Sequence, residues 1–252
     1  MIIKKLFFGA IIFCACNLAF AKNIQAKSWL IADGEGRILE QENIEFVQPI
    51  ASITKLMTVI VVLDSTPNLD EQVKTKFRGV NVTTRQLLNL AIVHSDNKAA
   101  DLLCKTYKNG FNACIAAMNH KAESIGMTNT KFYDSTGLDN RNISNALDLI
   151  KLLQTSEKYP EIVNASNKTV VELVKKHKRK FVTTKYNNTN PLVAKYNVIV
   201  SKTGYVRASG GCLVMSAYVK GKKKLFVVLN SKTTRTRIHD METLILSVAG
   251  QS

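Results

Sequence analysis

Apolar positions recur along this chain with two spacings, and each spacing predicts a different kind of element. Trp29 to Ala32 is strand-like, Asp33-Gly34-Glu35-Gly36 is turn-forming, and Arg37 to Glu40 returns, which predicts a hairpin. Beyond Pro49 the spacing lengthens: an apolar stretch starts at Ser52 and ends at Leu63, with Leu56, Val59, Ile60 and Leu63 at helical intervals. Helical spacing continues over 84–93, 97–107, 112–124 and 144–154, with Ser144 placed as the N-cap of the last. From Thr169 the pattern is strand-like at Val170-Val171, Phe181-Val182, Val198 to Lys202, Cys212 to Val219 and Leu225 to Leu229. Gly210-Gly211 and Gly221 supply turns. A closing helix is expected over 237–248. Strands at both ends with helices between them predict an α+β fold, an antiparallel sheet flanked by helices with an inserted helical region.

The first 21 residues follow neither rhythm. Lys4 and Lys5 precede an almost unbroken apolar run from Leu6 to Phe20, and Ala19-Phe20-Ala21 ends it with small residues. The run contains Asn17 and falls short of the ~20 residues that a spanning helix needs, so it reads as a cleaved signal peptide over 1–21. Cys16 after Ala15 offers a lipoprotein alternative, against which Phe13 and Cys14 are poor residues before a lipidated cysteine. The mature chain, 22–252, shows no internal repeat and no linker rich in Pro and Gly, and is expected to be a single domain.

Composition sharpens this picture. With 46% hydrophobic and 21% charged residues the chain is neither disordered, collagen-like nor a coiled coil. Its net charge of +16 calls for an anionic partner, and export excludes nucleic acid; removing Lys4 and Lys5 with the leader lowers the charge by two, to +14. Cys14 and Cys16 leave with the leader. Cys104 and Cys114 lie near the ends of two helical stretches, where a bridge can form or not, and Cys212 reads as a buried free thiol in an apolar strand. His94, His120, His177 and His239 are scattered and make no zinc pattern with the cysteines.

Three short motifs carry the chemistry. Ser52-Ile53-Thr54-Lys55 opens the first helix, Ser95-Asp96-Asn97 lies at a break between two helices, and Lys202-Thr203-Gly204 ends a strand. By composition a Ser-x-x-Lys or a Ser-x-Asn arises roughly once by chance in such a chain, so neither means much alone. All three in this order are a far more specific signal. Residues three apart share a helix face, so Lys55 can set its amine beside the Ser52 hydroxyl. A serine hydroxyl needs a base, and lysine serves only if burial or a nearby cation depresses its pKa; Lys202 can be that cation. Ser95 can relay a proton to a leaving nitrogen, and Asn97 can hold a substrate amide. A serine on a first helical turn also receives backbone N–H groups and the positive helix end at a developing oxyanion.

The sequence resembles the low-molecular-mass penicillin-binding proteins, serine D-alanyl-D-alanine peptidases, and within them the D-alanyl-D-alanine endopeptidases of the penicillin-binding protein 7/8 type. Similar stretches beyond the motifs are Pro49 to Thr58, Gly126-Met127, Thr136-Gly137-Leu138, Asn188-Thr189-Asn190 and Ser201 through Tyr205 to Met215. The resemblance implies a β-lactamase/transpeptidase-like fold, with Ser52 as the acylated nucleophile and Lys55 as its base. Ser95 and Asn97 would line the cleft, Lys202, Thr203 and Gly204 would bind the substrate's terminal carboxylate, and the N–H groups of Ser52 and Tyr205 would form the oxyanion hole. Peptidoglycan stem peptides are the implied substrate and β-lactams the implied covalent inhibitors, with no metal or organic cofactor.

The chain ends at Ser252, soon after the closing helix, which leads us to expect a periplasmic enzyme without a stable membrane anchor. The segment Lys74 to Thr84 leaves little room for a long loop at the cleft edge. Lys175-Lys176-His177-Lys178-Arg179-Lys180 reads either as a solvated hairpin face or as an electrostatic contact with the wall's carboxylates. Two other readings are a β-lactamase, for which Glu161 and Asn164 are wrongly spaced, and a catalytically silent wall-binding protein, which the intact Ser52, Lys55 and Lys202 oppose.

Overall fold

The structure, a computed structural model, describes residues 23–65, 67–177 and 180–250. The expected signal peptide lies outside these residues, as do Lys178, Arg179 and the side chains at 176 and 177 in the basic run. In chain order the elements are β1 (Ser28–Asp33), β2 (Ile38–Glu42), β3 (Gln48–Pro49), α1 (Thr54–Asp64), α2 (Thr84–Val93), α3 (Asn97–Lys105) and α4 (Gly110–Ser124). Then come β4 (Ile143–Ser144), α5 (Ala146–Ser156), α6 (Pro160–Ser166), β5 (Val170–His177) and β6 (Lys180–Asn187). β7 (Asn197–Val206), β8 (Gly210–Val219), β9 (Lys222–Ser231) and α7 (Thr236–Ala249) complete the chain.

β1 pairs antiparallel with β9, so the two ends of the sequence close into one five-stranded sheet of order β2-β1-β9-β8-β7. Side chains alternate between the faces of a strand, and here both faces are covered. Leu30, Val214, Val227 and Leu229 enter a core shared with α1, α2 and α5. Ile31, Leu213, Met215, Phe226 and Val228 pack on the other side against Met241, Leu244 and Ile245 of α7. Each fully buried aliphatic side chain contributes on the order of 1.5–3 kcal/mol. Covering both faces explains why β8 and β9 read as unbroken apolar runs.

α1 is buried on nearly every side, including Val59, Ile60, Val61 and Val62. Such a β-branched run is a poor intrinsic helix former, so tertiary burial holds it. α2 starts with a capping box, in which Thr83 and Gln86 each accept the other's backbone N–H. α3 is capped by Asp96 and α5 by Asn145. The free edge of β7 packs against the turn that leads into α1, and the helical region rises beside it. A cleft between sheet edge and helices follows from this arrangement.

Several expectations are corrected. Asn145, not Ser144, caps α5, because Ser144 pairs with Gln48 in the short β3–β4 ladder. α1 starts at Thr54; Ala51–Ile53 forms a 3-10 turn ahead of it. Lys202-Thr203-Gly204 lies inside β7 rather than at its end, since Val206 still pairs with Gly210. β5 and β6 are eight residues each and fully paired, much longer than their short apolar signals, because polar residues such as Glu172, Lys175, Thr183, Thr184 and Lys185 occupy exposed positions along them. Two cysteine readings need no correction: the bridge left open by the sequence is formed between Cys104 and Cys114, joining the end of α3 to α4, and Cys212 is a free buried thiol as expected.

Candidate active site

Ser52 sits on a turn whose shape is enforced from both sides. Ala51 is left-handed, with φ of +47°, and swings Ser52 to the N-terminal end of α1. Gly137 and Gly204 press on this turn. A Cβ on Gly137 would lie 1.8 Å from the Ala51 carbonyl oxygen, and one on Gly204 would lie 2.8 Å from that of Ile50 and 3.1 Å from the Ser52 nitrogen. Real Cβ atoms do not approach backbone that closely, so both positions require glycine.

Lys55 lies one turn below Ser52 and is wholly buried. Its Nζ donates to Ser52 Oγ at 2.7 Å, Asn97 Oδ1 at 2.7 Å and the Thr136 carbonyl at 2.6 Å. All three acceptors are neutral, so no directly bonded carboxylate offsets the lost hydration of an ammonium. Burial accordingly lowers the Lys55 pKa from 10.5 to about 7, against the opposing pull of the Asp134 and Asp96 carboxylates. Of the two causes the sequence left open, burial rather than a nearby cation is the main one.

The second lysine is arranged alike. Lys202 on β7 is buried and donates to Ser95 Oγ at 2.8 Å and to the Thr203 carbonyl at 2.9 Å. Its pKa is held well below the ordinary lysine value by burial, with added repulsion from Lys55 and Arg237. Ser95 is left-handed (φ +58°) at the α2–α3 break. Thr203 Oγ1 meets Thr189 Oγ1 at 2.6 Å, and Tyr205 stands half exposed at the rim. The fold thus joins Lys55 to Ser52 and Asn97, joins Lys202 to Ser95, and seats Gly204 against the Ser52 turn, with Thr203 and Tyr205 beside it on β7.

Sequence reading missed the parts that hold this arrangement. Asp134 accepts from the Thr136 and Gly137 amides, Asp139 N, Thr136 Oγ1 and Asn142 Nδ2, which knots the loop that offers its Thr136 carbonyl to Lys55. The spacing Asp134-Ser135-Thr136-Gly137 is an Asx-turn signal that could have revealed it. Arg237 of α7, buried, donates to the Gly204 carbonyl at 2.7 Å and backs β7 from behind. Its burial depresses its pKa, and nothing near it in sequence marks it. Glu161 and Asn164 lie on α6, and among the described residues no hydrogen bond joins either to Ser52 or Lys55.

Chemically this arrangement can serve as a serine acyl-transfer centre, with lysine in the place that histidine holds in other serine hydrolases. Comparison with known proteins narrows the class. The chain belongs to the D-alanyl-D-alanine carboxypeptidase family (peptidase S11), which it matches over residues 16–233. It is 36% identical to the D-alanyl-D-alanine endopeptidase of Escherichia coli over 91% of this chain and 79% of that protein. The endopeptidase of Pseudomonas aeruginosa is 35% identical over 90% of this chain and 78% of its own length. Among solved structures, the DD-transpeptidase of Streptomyces K15 superposes with a TM-score of 0.82 at 26% identity, covering 91% of this chain and 98%–99% of that one across its forms. The ampicillin-bound penicillin-binding protein D2 of Listeria monocytogenes gives 0.77 at 25% identity over 90% and 98%. The α+β fold is thus that of the penicillin-binding proteins, as the sequence implied.

Proposed function

We propose that this chain is an exported serine-type D-alanyl-D-alanine peptidase that cleaves D-alanyl bonds of peptidoglycan stem peptides. The observation that carries the reading is the 2.7 Å contact between Ser52 Oγ and a buried Lys55 amine whose pKa lies near 7. Neutral Lys55 takes the Ser52 proton as Oγ adds to the D-alanyl carbonyl. The N–H groups of Ser52 and Tyr205 receive the oxyanion. The C–N bond then breaks as Ser95, held by Lys202, relays to the departing amine the proton that Lys55 took from Ser52, which leaves Lys55 neutral again. Water attacks the resulting ester on Ser52, and Lys55 assists as base again. Lys202, Thr203 and Gly204 hold the carboxylate beyond the scissile bond, and Asn97 orients the substrate amide.

The leader over 1–21 directs the enzyme to the periplasm, where 22–252 acts as one catalytic domain in cell-wall turnover and cell shape. Endopeptidase relatives support cleavage of cross-links; carboxypeptidase activity on terminal D-alanine is the other outcome. β-Lactams acylate Ser52 and stay attached, because the opened ring's amine cannot leave. Labelled penicillin should add covalently to wild type and not to Ser52→Ala, and labelling that survives this substitution refutes the assignment. Mass spectrometry of muropeptides from treated sacculi then separates loss of cross-linked dimers from loss of terminal D-alanine.

A further inference from the structure

The middle residue of Ser95-Asp96-Asn97 has a partner that the catalytic scheme does not use. Asp96 is buried; its Oδ1 accepts Ala99 N at 2.9 Å and caps α3. Its Oδ2 accepts from Arg78 Nη2 at 2.5 Å, an ion pair in which the Asp96 side chain is 3% exposed. Arg78 Nη1 also donates to the Tyr186 hydroxyl of β6 at 3.2 Å, and the guanidinium lies over the Phe77 and Tyr186 rings, 4.9 and 5.6 Å from their centroids. This ties two separate segments, the turn at 77–80 and β6, to the turn that carries Ser95 and Asn97.

The backbone that delivers Arg78 is unusual. Phe77 and Val80 exchange both backbone hydrogen bonds at 2.9 Å around Arg78 (φ +52°) and Gly79 (φ +77°). Two left-handed central residues make a type I′ turn, whose first central position favours Asn, Asp or Gly. Arginine there is strained relative to a right-handed residue, and such strain persists where the surroundings impose it. Here buried Phe77 anchors the turn and the buried Asp96 carboxylate receives its tip.

We propose that Arg78 is a positioning residue for the reaction at Ser52, clamping the Ser95-Asp96-Asn97 turn and neutralising the Asp96 carboxylate that acts on the Lys55 amine. The inference rests on the acyl-transfer reading above. The charged groups acting on Lys55 are Asp134 from the loop before β4, Asp96 from the α2–α3 turn and Lys202 from β7. Of the two carboxylates, Asp96 has a cation on its far side, and that cation is Arg78. Without Arg78 the Asp96 charge acts unopposed, stabilises protonated Lys55, and moves the onset of acylation to higher pH.

The test is the second-order rate of acylation by a fluorescent penicillin from pH 5 to 9 in wild type, R78M, R78K, D96N and R78M/D96N, with melting temperatures alongside. In D96N the asparagine still caps α3. R78M should acylate roughly tenfold more slowly at pH 7, with the midpoint of its acidic limb raised by roughly half a pH unit. R78K, which keeps the charge without the two-pronged geometry, should keep the wild-type midpoint. R78M/D96N should return to or below it, and D96N alone should fall below it. A purely structural role lowers the rate without moving the limb. An unshifted R78M, a double variant that stays shifted, or a D96N limb at the wild-type pH overturns the proposal; the D96N arm decides it if R78M does not fold. If wild type is not acylated at all, the reading of the site fails instead.

Discussion

Titration of Lys55 is the property on which the site's chemistry turns. An ordinary lysine amine, at 10.5, is neutral in about one molecule in 3000 at pH 7. At about 7 half the molecules hold the free base, a gain of roughly 10³-fold in competent enzyme. Acylation by a β-lactam with no ionising group in the range should therefore rise about tenfold per pH unit below pH 7 and level off above it. The same displacement acts on stability with a definite sign. Below about 7 both folded and unfolded chains hold the proton, and the full burden of a buried ammonium, on the order of 5 kcal/mol, opposes folding. Between about 7 and 10.5 only the unfolded chain holds it, so this burden fades and the Lys55 contribution to stability improves as pH rises through that window. Stopped-flow acylation from pH 5 to 9 and urea unfolding at the same pH values measure both. Lys55→Arg, which cannot supply a neutral base, should lose at least about 10³-fold in acylation at every pH. A flat acylation profile in wild type, or a midpoint above pH 9, refutes burial as the source of the base.

Two further outcomes follow from the geometry. Gly137→Ala would place a Cβ 1.8 Å from the Ala51 carbonyl, and relieving that overlap moves the Ser52 turn by more than 1 Å; acylation should fall about 10²-fold, and rates within threefold of wild type would contradict the clasp. Removing the Cys104–Cys114 bridge, a loop of ten positions, should cost about 2.5 kcal/mol of stability and leave acylation of the folded enzyme unchanged, as calorimetry and penicillin labelling at 20 °C would show.

What the sequence disclosed and what it withheld have a physical pattern. Helical spacing located α1 to α5 and α7 because each has a buried stripe and a polar boundary, as at Thr83 and Asp96. Strand ends were placed poorly where a strand continues past its apolar core, as β7 does through Thr203 and Gly204. α6 was missed because it is one short piece between two helical and strand signals, starting on Pro160. Ser52, Lys55, Ser95, Asn97 and Lys202 were legible because their chemistry is written in residue type and order. Asp134, Arg237 and Arg78 were not, since each acts through a partner between 18 and 33 positions away or through a folded loop. No local rule connects Arg237 to Gly204; only the packing of α7 under the sheet does.

The backbone itself explains why the site's geometry resists reading from local preference. Among the described residues seven that are not glycine have left-handed φ. Asn43, Asn109 and Asn230 are of the type that adopts this conformation readily, and Lys220 with Gly221 forms the tight turn between β8 and β9. The other three are Ala51, Arg78 and Ser95, residue types with no such preference, and all three converge on the cleft. Each conformation costs about 1–2 kcal/mol and is held by something specific: Ala51 by the flanking glycines, Ser95 by the bond from Lys202, Arg78 by the Asp96 carboxylate. Relaxing any of them to a right-handed conformation would turn Ser52 away from Lys55, Ser95 away from Lys202, or Arg78 away from Asp96. Local preference and fold agree over most of this chain and part company at the turns that aim its reactive groups, which is where strain has a function to serve.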